Sequence, residues 1–566
     1  MSSEFNESDA RTGTDSIEDG ERAPSLLDAT CEGYVYDMAA LTPTDATAWG
    51  IEGYDGELQD FSPDYWDEVA ERTRDMIADV DALNDGTDDS DDDDDFDGID
   101  QVTADILVDR LGLELDLHHR GENLRLLNNI ASPVQTIRDS LVQMPKDGAD
   151  AHDNVRSRLS RVPKALRGYC DSLSEAAAQG KVAAHRQIDA VIDQCESLAD
   201  SGSLLESLGV DPDCAEVSKA KQAFAEFADW LSTDLAPQAA HNDCVGRDRY
   251  ELFSHYFVGD LVDLDEAYNW ARERLCDIIA EQESIAHDLY GSDCSVRGAF
   301  RRLNEDERYT LTGTEALREW MQKLADETMD TVHGTHFNVP EELRTIVARI
   351  DPAGTGGIFY TPPTEDFTRP GQMWWSVPPG QETFHTWQEK TTVFHEGVPG
   401  HHLQLGQALA QDDLNLWRRV ACWNSGHGEG WALYAESLMD EAGFFEDPGY
   451  RMGYLDSQRL RAARVVLDIG VHLGKKVPEG TGVWDGSYAK GFLRENSAMD
   501  EANLAFEIDR YLGWPGQAPS YALGQRLWRE VREDALEQGQ SLREFHDRAL
   551  SLGSVPMSVL RTEVLD

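Results

Sequence analysis

The chain has 566 residues, enough for a large buried core and more than one lobe, and 108 acidic against 49 basic residues give a formal net charge of −59. Lysine is scarce, ten against 39 arginines; this balance excludes a nucleic-acid partner, which needs basic stripes to release counterions, and argues against anionic membrane surfaces. The acidic excess runs through the whole sequence with a local peak at Asp85–Asp97, the pattern of a protein adapted to molar salt, where screening is nearly complete.

Residues 1–24 are polar, acidic and poor in apolar side chains, which predicts a disordered tail. They lack the basic start and apolar run of a signal peptide, and no stretch of eighteen apolar residues follows anywhere, so no membrane span and a cytoplasmic protein are expected. None of the eight cysteines forms a C-x-x-C pair, which predicts reduced, mostly buried thiols. From residue 25 on the chain reads as one helical body. A helix is predicted over Ser62–Asp81, then a solvated acidic loop over 85–99, whose aspartates lack the ordered spacing of a calcium loop. A helical lobe follows over 100–340. In it Ala267, Trp270, Ala271, Leu275, Ile278 and Ile279 recur at helical spacing, Pro163, Gly180, Pro212 and Pro237 punctuate, and Pro340 closes.

Residues 341–566 form the remaining lobe. Gly354–Pro363 is irregular or extended, and Met373–Val377 reads as a short strand. In many zinc peptidases a strand just before the metal-binding helix pairs with substrate backbone; a buried hairpin without that role is the competing reading. Helices are predicted at Thr386–Val398, Leu414–Trp423, Glu429–Glu441, Asp456–Leu473, Tyr488–Tyr511 and Tyr521–Gln538. The whole is mostly α with a small β-sheet.

Chemistry concentrates in His395-Glu396-Gly397-Val398-Pro399-Gly400-His401-His402 and in Gly428-Glu429-Gly430-Trp431. On an unbroken helix, imidazoles one turn apart share one ion, about 6 Å along the axis. Here the position one turn after His395 is Pro399, which cannot bind metal. His402 would lie about 10 Å along the axis on the same face, and His401 would point about 120° aside. Pro399-Gly400 offers a break that returns one of them to the metal. The expected ligands of a Zn²⁺ ion are therefore His395, His401 and Glu429, with His402 the alternative to His401. Glu396 projects beside the ion as general base and acid. Glu436, seven residues after Glu429 on the same helix face, can orient a histidine from behind.

These two motifs, with Arg461-Ala462-x-Arg464-Val465-Val466-x-Asp468-x-Gly470-x-His472 and Pro515-Gly516-Gln517-Ala518-x-x-Tyr521, resemble the family known as domain of unknown function 885. That resemblance covers most of the chain beyond the tail. It implies a large helical, zincin-like metallopeptidase fold of the gluzincin type, and hence peptide hydrolysis. The amide-hydrolysis transition state needs a donor for its oxyanion; His472 and Tyr521 are the candidates, with His427 a weaker third. Arg461 and Arg464 have the forked geometry to hold a peptide carboxylate, although internal salt bridges are the more natural duty in so acidic a chain.

The expectation is a zinc-dependent hydrolase acting on a peptide or small amide by metal-activated water. A non-peptide amide or ester substrate, or a helical binding protein that keeps the metal without turnover, are the alternatives, and Glu396 favours catalysis because a pure binding module needs no base. Substrate end preference and oligomeric state have no signal in the sequence. If the acidic excess is a salt adaptation, the melting temperature falls as ionic strength is lowered from molar to millimolar salt; an unchanged melting temperature would refute that origin of the charge.

Overall fold

Apolar stripes at helical spacing dominate the chain, and the computed structural model, which describes residues 22–565 apart from positions 87–95, 147, 352–356, 365, 379 and 479, folds them into helices throughout. Most of the expected tail and of the aspartate block lies outside the described residues. The last part of that tail is engaged: Arg22 pairs with Asp28, Asp97 and Asp100 at 2.5, 2.5 and 2.7 Å. The helix before the block runs Pro63–Gly86 and the next begins at Gly98, with Asp97 as its cap. The eight cysteines are free, four of them buried and Cys276 exposed. No helix among the described residues is long and apolar enough to cross a membrane.

Two small sheets interrupt the helices. β1 (Thr310–Thr312) pairs antiparallel with β5 (Thr383–His385). β2 (Ile346–Asp351), β3 (Ile358–Thr361) and β4 (Gly371–Ser376) form a sheet in the order β2-β4-β3, with β4 parallel to β2 and antiparallel to β3. The strand expected at Met373–Val377 is thus β4, but it is the central strand, hydrogen-bonded on both sides. The edges of the sheet are β2 and β3. β5 runs directly into the helix Thr386–Glu396, so the sheets set the entry of the helix that carries His395.

The Leu264–Tyr290 helix bears the apolar stripe read from the sequence and packs along Pro448–His472, which in turn packs on Thr386–Glu396. One buried cluster extends from Leu27 to Val564 and includes Phe394, Val398, Leu403 and Trp431, so the strands and helices around the motif residues share a core with the N-terminal helices.

Several boundaries differ from the sequence reading. Pro163 sits inside the helix Ala151–Ala178, where burial of Val155, Leu159, Val162 and Leu166 outweighs the hydrogen bond a proline removes. The helix expected at Leu414–Trp423 is a π-helical turn over Trp417–Ala421. There Arg418 is drawn into the core and its guanidinium donates to the Thr103 hydroxyl at 2.9 Å. Tyr488–Tyr511 divides into Gly486–Glu495 and Glu501–Gly513, because Asp500 accepts from the amides of Ala502 and Asn503 and starts a new helix.

Helix Ser425–Glu441 lies against Ser520–Glu537 over the most extensive helix–helix contact of the fold. The crossing is glycine on glycine: a Cβ on Gly430 would stand 2.5 Å from the Gly524 carbonyl carbon, and one on Gly524 would stand 2.1 Å from the Gly426 oxygen. Backbone meets backbone there, so no side-chain rotation makes room. Gly524→Ala is expected to cost about 1–3 kcal/mol in denaturant unfolding, and an unshifted midpoint would show that the crossing can open without loss.

Candidate metal centre

Three elements supply the site. The Thr386–Glu396 helix carries His395 and Glu396, and the chain then leaves helical geometry through a cis Val398–Pro399 bond before the helix His401–Leu409 begins. A Cβ on Gly400 would stand 1.9 Å from the His395 carbonyl oxygen, so only glycine lets the chain fold back so tightly. The third element, Ser425–Glu441, starts four residues before the Glu429 at which the sequence predicts it. Asn424 caps it by accepting from the His427 amide at 3.0 Å, which places Glu429 in the second turn rather than at the start.

The break brings His401, not His402, to His395 and Glu429. A ligand atom of each of His395, His401 and Glu429 lies within 4.8 Å of the others. Glu429 Oε2 is 3.2 Å from His395 Nε2 and 3.7 Å from His401 Nε2, and the two imidazoles stand nearly perpendicular. With zinc–ligand bonds of about 2.0–2.1 Å, the edge of a tetrahedral site is about 3.3 Å, so these residues fit one ion. His402 faces the other way. Its Nε2–H donates to the Leu343 carbonyl at 2.7 Å and its Nδ1 accepts from the Tyr360 hydroxyl at 2.9 Å, while burial pushes its pKa down to about 4 and keeps it neutral.

Glu436 stands behind His395. One oxygen is 3.0 Å from Nδ1 of His395; the other accepts from Thr391 at 2.5 Å and Ser457 at 3.0 Å. This fixes the ring with Nε2 toward Glu429. Burial opposes charge on His395, yet its bonds to Glu429 and Glu436 prevail and lift its pKa to about 10. Burial likewise opposes charge on Glu429, and the two histidines override it and hold the carboxylate well below its ordinary range. A positive charge at the focus of these residues is therefore strongly favoured. Trp431 ties the arrangement together: its indole N–H donates to the carbonyls of Pro399 and Gly400 at 3.0 and 3.1 Å.

Glu396 lines the same cleft of about 320 Å³, and burial raises its pKa against the pull of His395 and His401. Tyr521 also lines it, with its ring stacked on His395 at 6.4 Å; burial raises the phenol, which keeps its proton. Exposed residues of β3, Ile358 and Phe359, form part of the rim. A cavity of about 590 Å³ shares Trp423 with this cleft as a lining residue.

Two predicted donors are elsewhere. His472 is fully buried, with its ring nitrogens 3.1 Å from the Asp243 carbonyl and 2.9 Å from that of Tyr511. It locks the end of its helix to neighbouring segments. Its motif partner Asp468 does similar work, accepting from the Tyr250 hydroxyl and the Gly516 amide. His427 packs on Trp528 inside the protein, where burial and then the charge of Arg418 push it down to about 3. Thr391, Ser457 and Tyr360 were missed by sequence reasoning. Only Thr391 had a signal there, one helical turn before His395.

The family described as "Bacterial protein of unknown function (DUF885)" matches residues 43–564. Two solved structures share the fold. The putative lipoprotein from Colwellia psychrerythraea has a TM-score of 0.79 and 21% identity, covering 95% of this chain and 98% of that one. A putative lipoprotein of unknown function from Shewanella oneidensis has a TM-score of 0.71 and 17% identity, covering 96% and 100%. No curated protein matches in sequence. Both neighbours are described as lipoproteins, and this overturns the cytoplasmic placement expected from composition at the N-terminus; short acidic termini do not decide compartment.

Replacing Glu436 by glutamine keeps an acceptor for His395 but removes the charge behind it. Zinc affinity is expected to fall about 10- to 100-fold, measured by competition with a chromogenic chelator; unchanged affinity would mean that Glu436 serves only the core.

Proposed function

The chain belongs to the DUF885 family, and we propose that it is a zinc-dependent hydrolase of peptide bonds on a zincin-like helical scaffold. The observation that carries this reading is the convergence of His395, His401 and Glu429 in a cleft that Glu396 also lines. Structural zinc sites close four protein ligands around the ion, whereas three ligands in an open cleft are the catalytic arrangement. When bound, zinc supplies Lewis acidity to the scissile carbonyl and eases deprotonation of water.

The chain's own residues do the rest. Glu396, held at a raised pKa by burial, takes a proton from the attacking water and delivers it to the departing amine. Tyr521 retains its proton and can donate it as a hydrogen bond to the developing oxyanion. The unpaired edge of β3 at the rim offers backbone donors and acceptors to an extended peptide. We also propose that the acidic composition adapts this enzyme to high salt.

Elemental mass spectrometry of protein purified in high salt without chelator is expected to find about one zinc per chain, lost in Glu429→Ala. Glu396→Gln is expected to keep the metal while turnover of a peptide library falls by about 10²- to 10⁴-fold. Failure to take up zinc, or undiminished turnover in Glu396→Gln, would sink the reading.

A further inference from the structure

The Pro448–His472 helix presents two arginines to the cleft one turn apart, and their situations differ. Arg464 is spoken for: it donates to Glu507 at 2.9 Å and to the Tyr511 hydroxyl at 2.5 Å, and its guanidinium lies 5.0 Å over the Tyr521 ring. Arg461 has no hydrogen bond or ion pair with any described residue, and its Nε is buried without an acceptor. In a chain with more than two acidic residues for every basic one, a guanidinium left unpaired in a cleft needs a reason.

Three acids, Glu396, Glu436 and Asp456, lie near enough to feel its charge without forming a hydrogen bond or ion pair with it. Glu436 has both oxygens occupied by His395, Thr391 and Ser457. Glu396 feels the charges of His395 and His401 more strongly than that of Arg461. What suits a planar fork with free N–H groups is a second planar group with two acceptors, and a carboxylate is that group.

Resting on the hydrolase reading above, we infer that Arg461 binds the C-terminal carboxylate of the substrate, so that the enzyme releases residues from the C-terminal end of peptides. Water's oxygen bonds to the acyl carbon, the C–N bond breaks, and both water protons end on the released amino acid's amine. Inside a cleft lined by Glu396 and Glu429, a local cation is what makes a peptide's charged end acceptable, and an exopeptidase site is where it is needed.

The test uses the full, zinc-loaded chain in high salt and three N-blocked peptides of one sequence: C-terminal acid, C-terminal amide, and an amide with glutamate as its last residue. The acid is expected to show a kcat/KM about 10- to 100-fold above the amide, the range of one charge-assisted contact. Arg461→Gln collapses this ratio towards one, and Arg461→Lys, which keeps the charge but not the fork, falls between. Equal rates for acid and amide, or a ratio that Arg461→Gln leaves intact, overturn the inference while the hydrolase reading stands. A preference for the glutamate amide over the acid overturns the terminal assignment in favour of a side-chain carboxylate. Cleavage of none of the three by zinc-loaded wild type refutes the hydrolase reading itself. Calorimetry with an N-acetyl amino acid and its amide reads the subsite without turnover: binding of the acid alone, lost in Arg461→Gln, supports it, and no binding by the wild type overturns it.

Discussion

The buried indole N–H of Trp431 holds the two halves of the site in register. Where the chain leaves helical geometry between His395 and His401, the Pro399 carbonyl loses its helical partner inside the protein, and an unpaired buried carbonyl is costly; that of Gly400 accepts from the amides of Leu403 and Gln404 at 3.2 and 3.3 Å. Trp431 donates to both, from a position two residues beyond Glu429, and so satisfies Pro399. The break that returns His401 to His395 is thus stabilised by the segment that brings Glu429. This explains why Gly428-Glu429-Gly430-Trp431 accompanies Pro399-Gly400-His401 in one chain, although the two lie on different helices.

A second layer of support follows the same logic. Glu436, from another helix, holds one ring nitrogen of His395, and Thr391 and Ser457 hold Glu436 by its other oxygen. His402, next to a ligand in sequence, is held in the opposite direction by Leu343 and Tyr360. Adjacent residues at a helix start point to different sides, and here the side decides between the cluster of His395 and Glu429 and the core.

What could be read from the sequence was local. The identities of His395, Glu396 and Glu429, and the seven-residue relation of Glu429 to Glu436, depend on spacing within one helix, as does the mostly α character. The choice between His401 and His402 turned on a carbonyl and a hydroxyl from segments some 40 to 60 residues away, which no local pattern contains. His472 looked functional because it closes a run of chemically rich residues, yet its partners are two backbone carbonyls. The helix predicted from Glu429 begins at Ser425, and at Gly426 and Gly428 the Val258 backbone and the Trp423 ring leave no space for a Cβ.

β3 at the rim has four residues, Ile358–Thr361, and so measures only about 13 Å. It acts as a short ruler. A ligand laid along that edge can engage its backbone over one or two pairs before the strand ends, and beyond that stretch it must be held by its termini or its side chains. On the hydrolase reading proposed above, selectivity by length and by end group follows from so short a rim, whereas a longer strand would grade ligands by how much backbone they could pair.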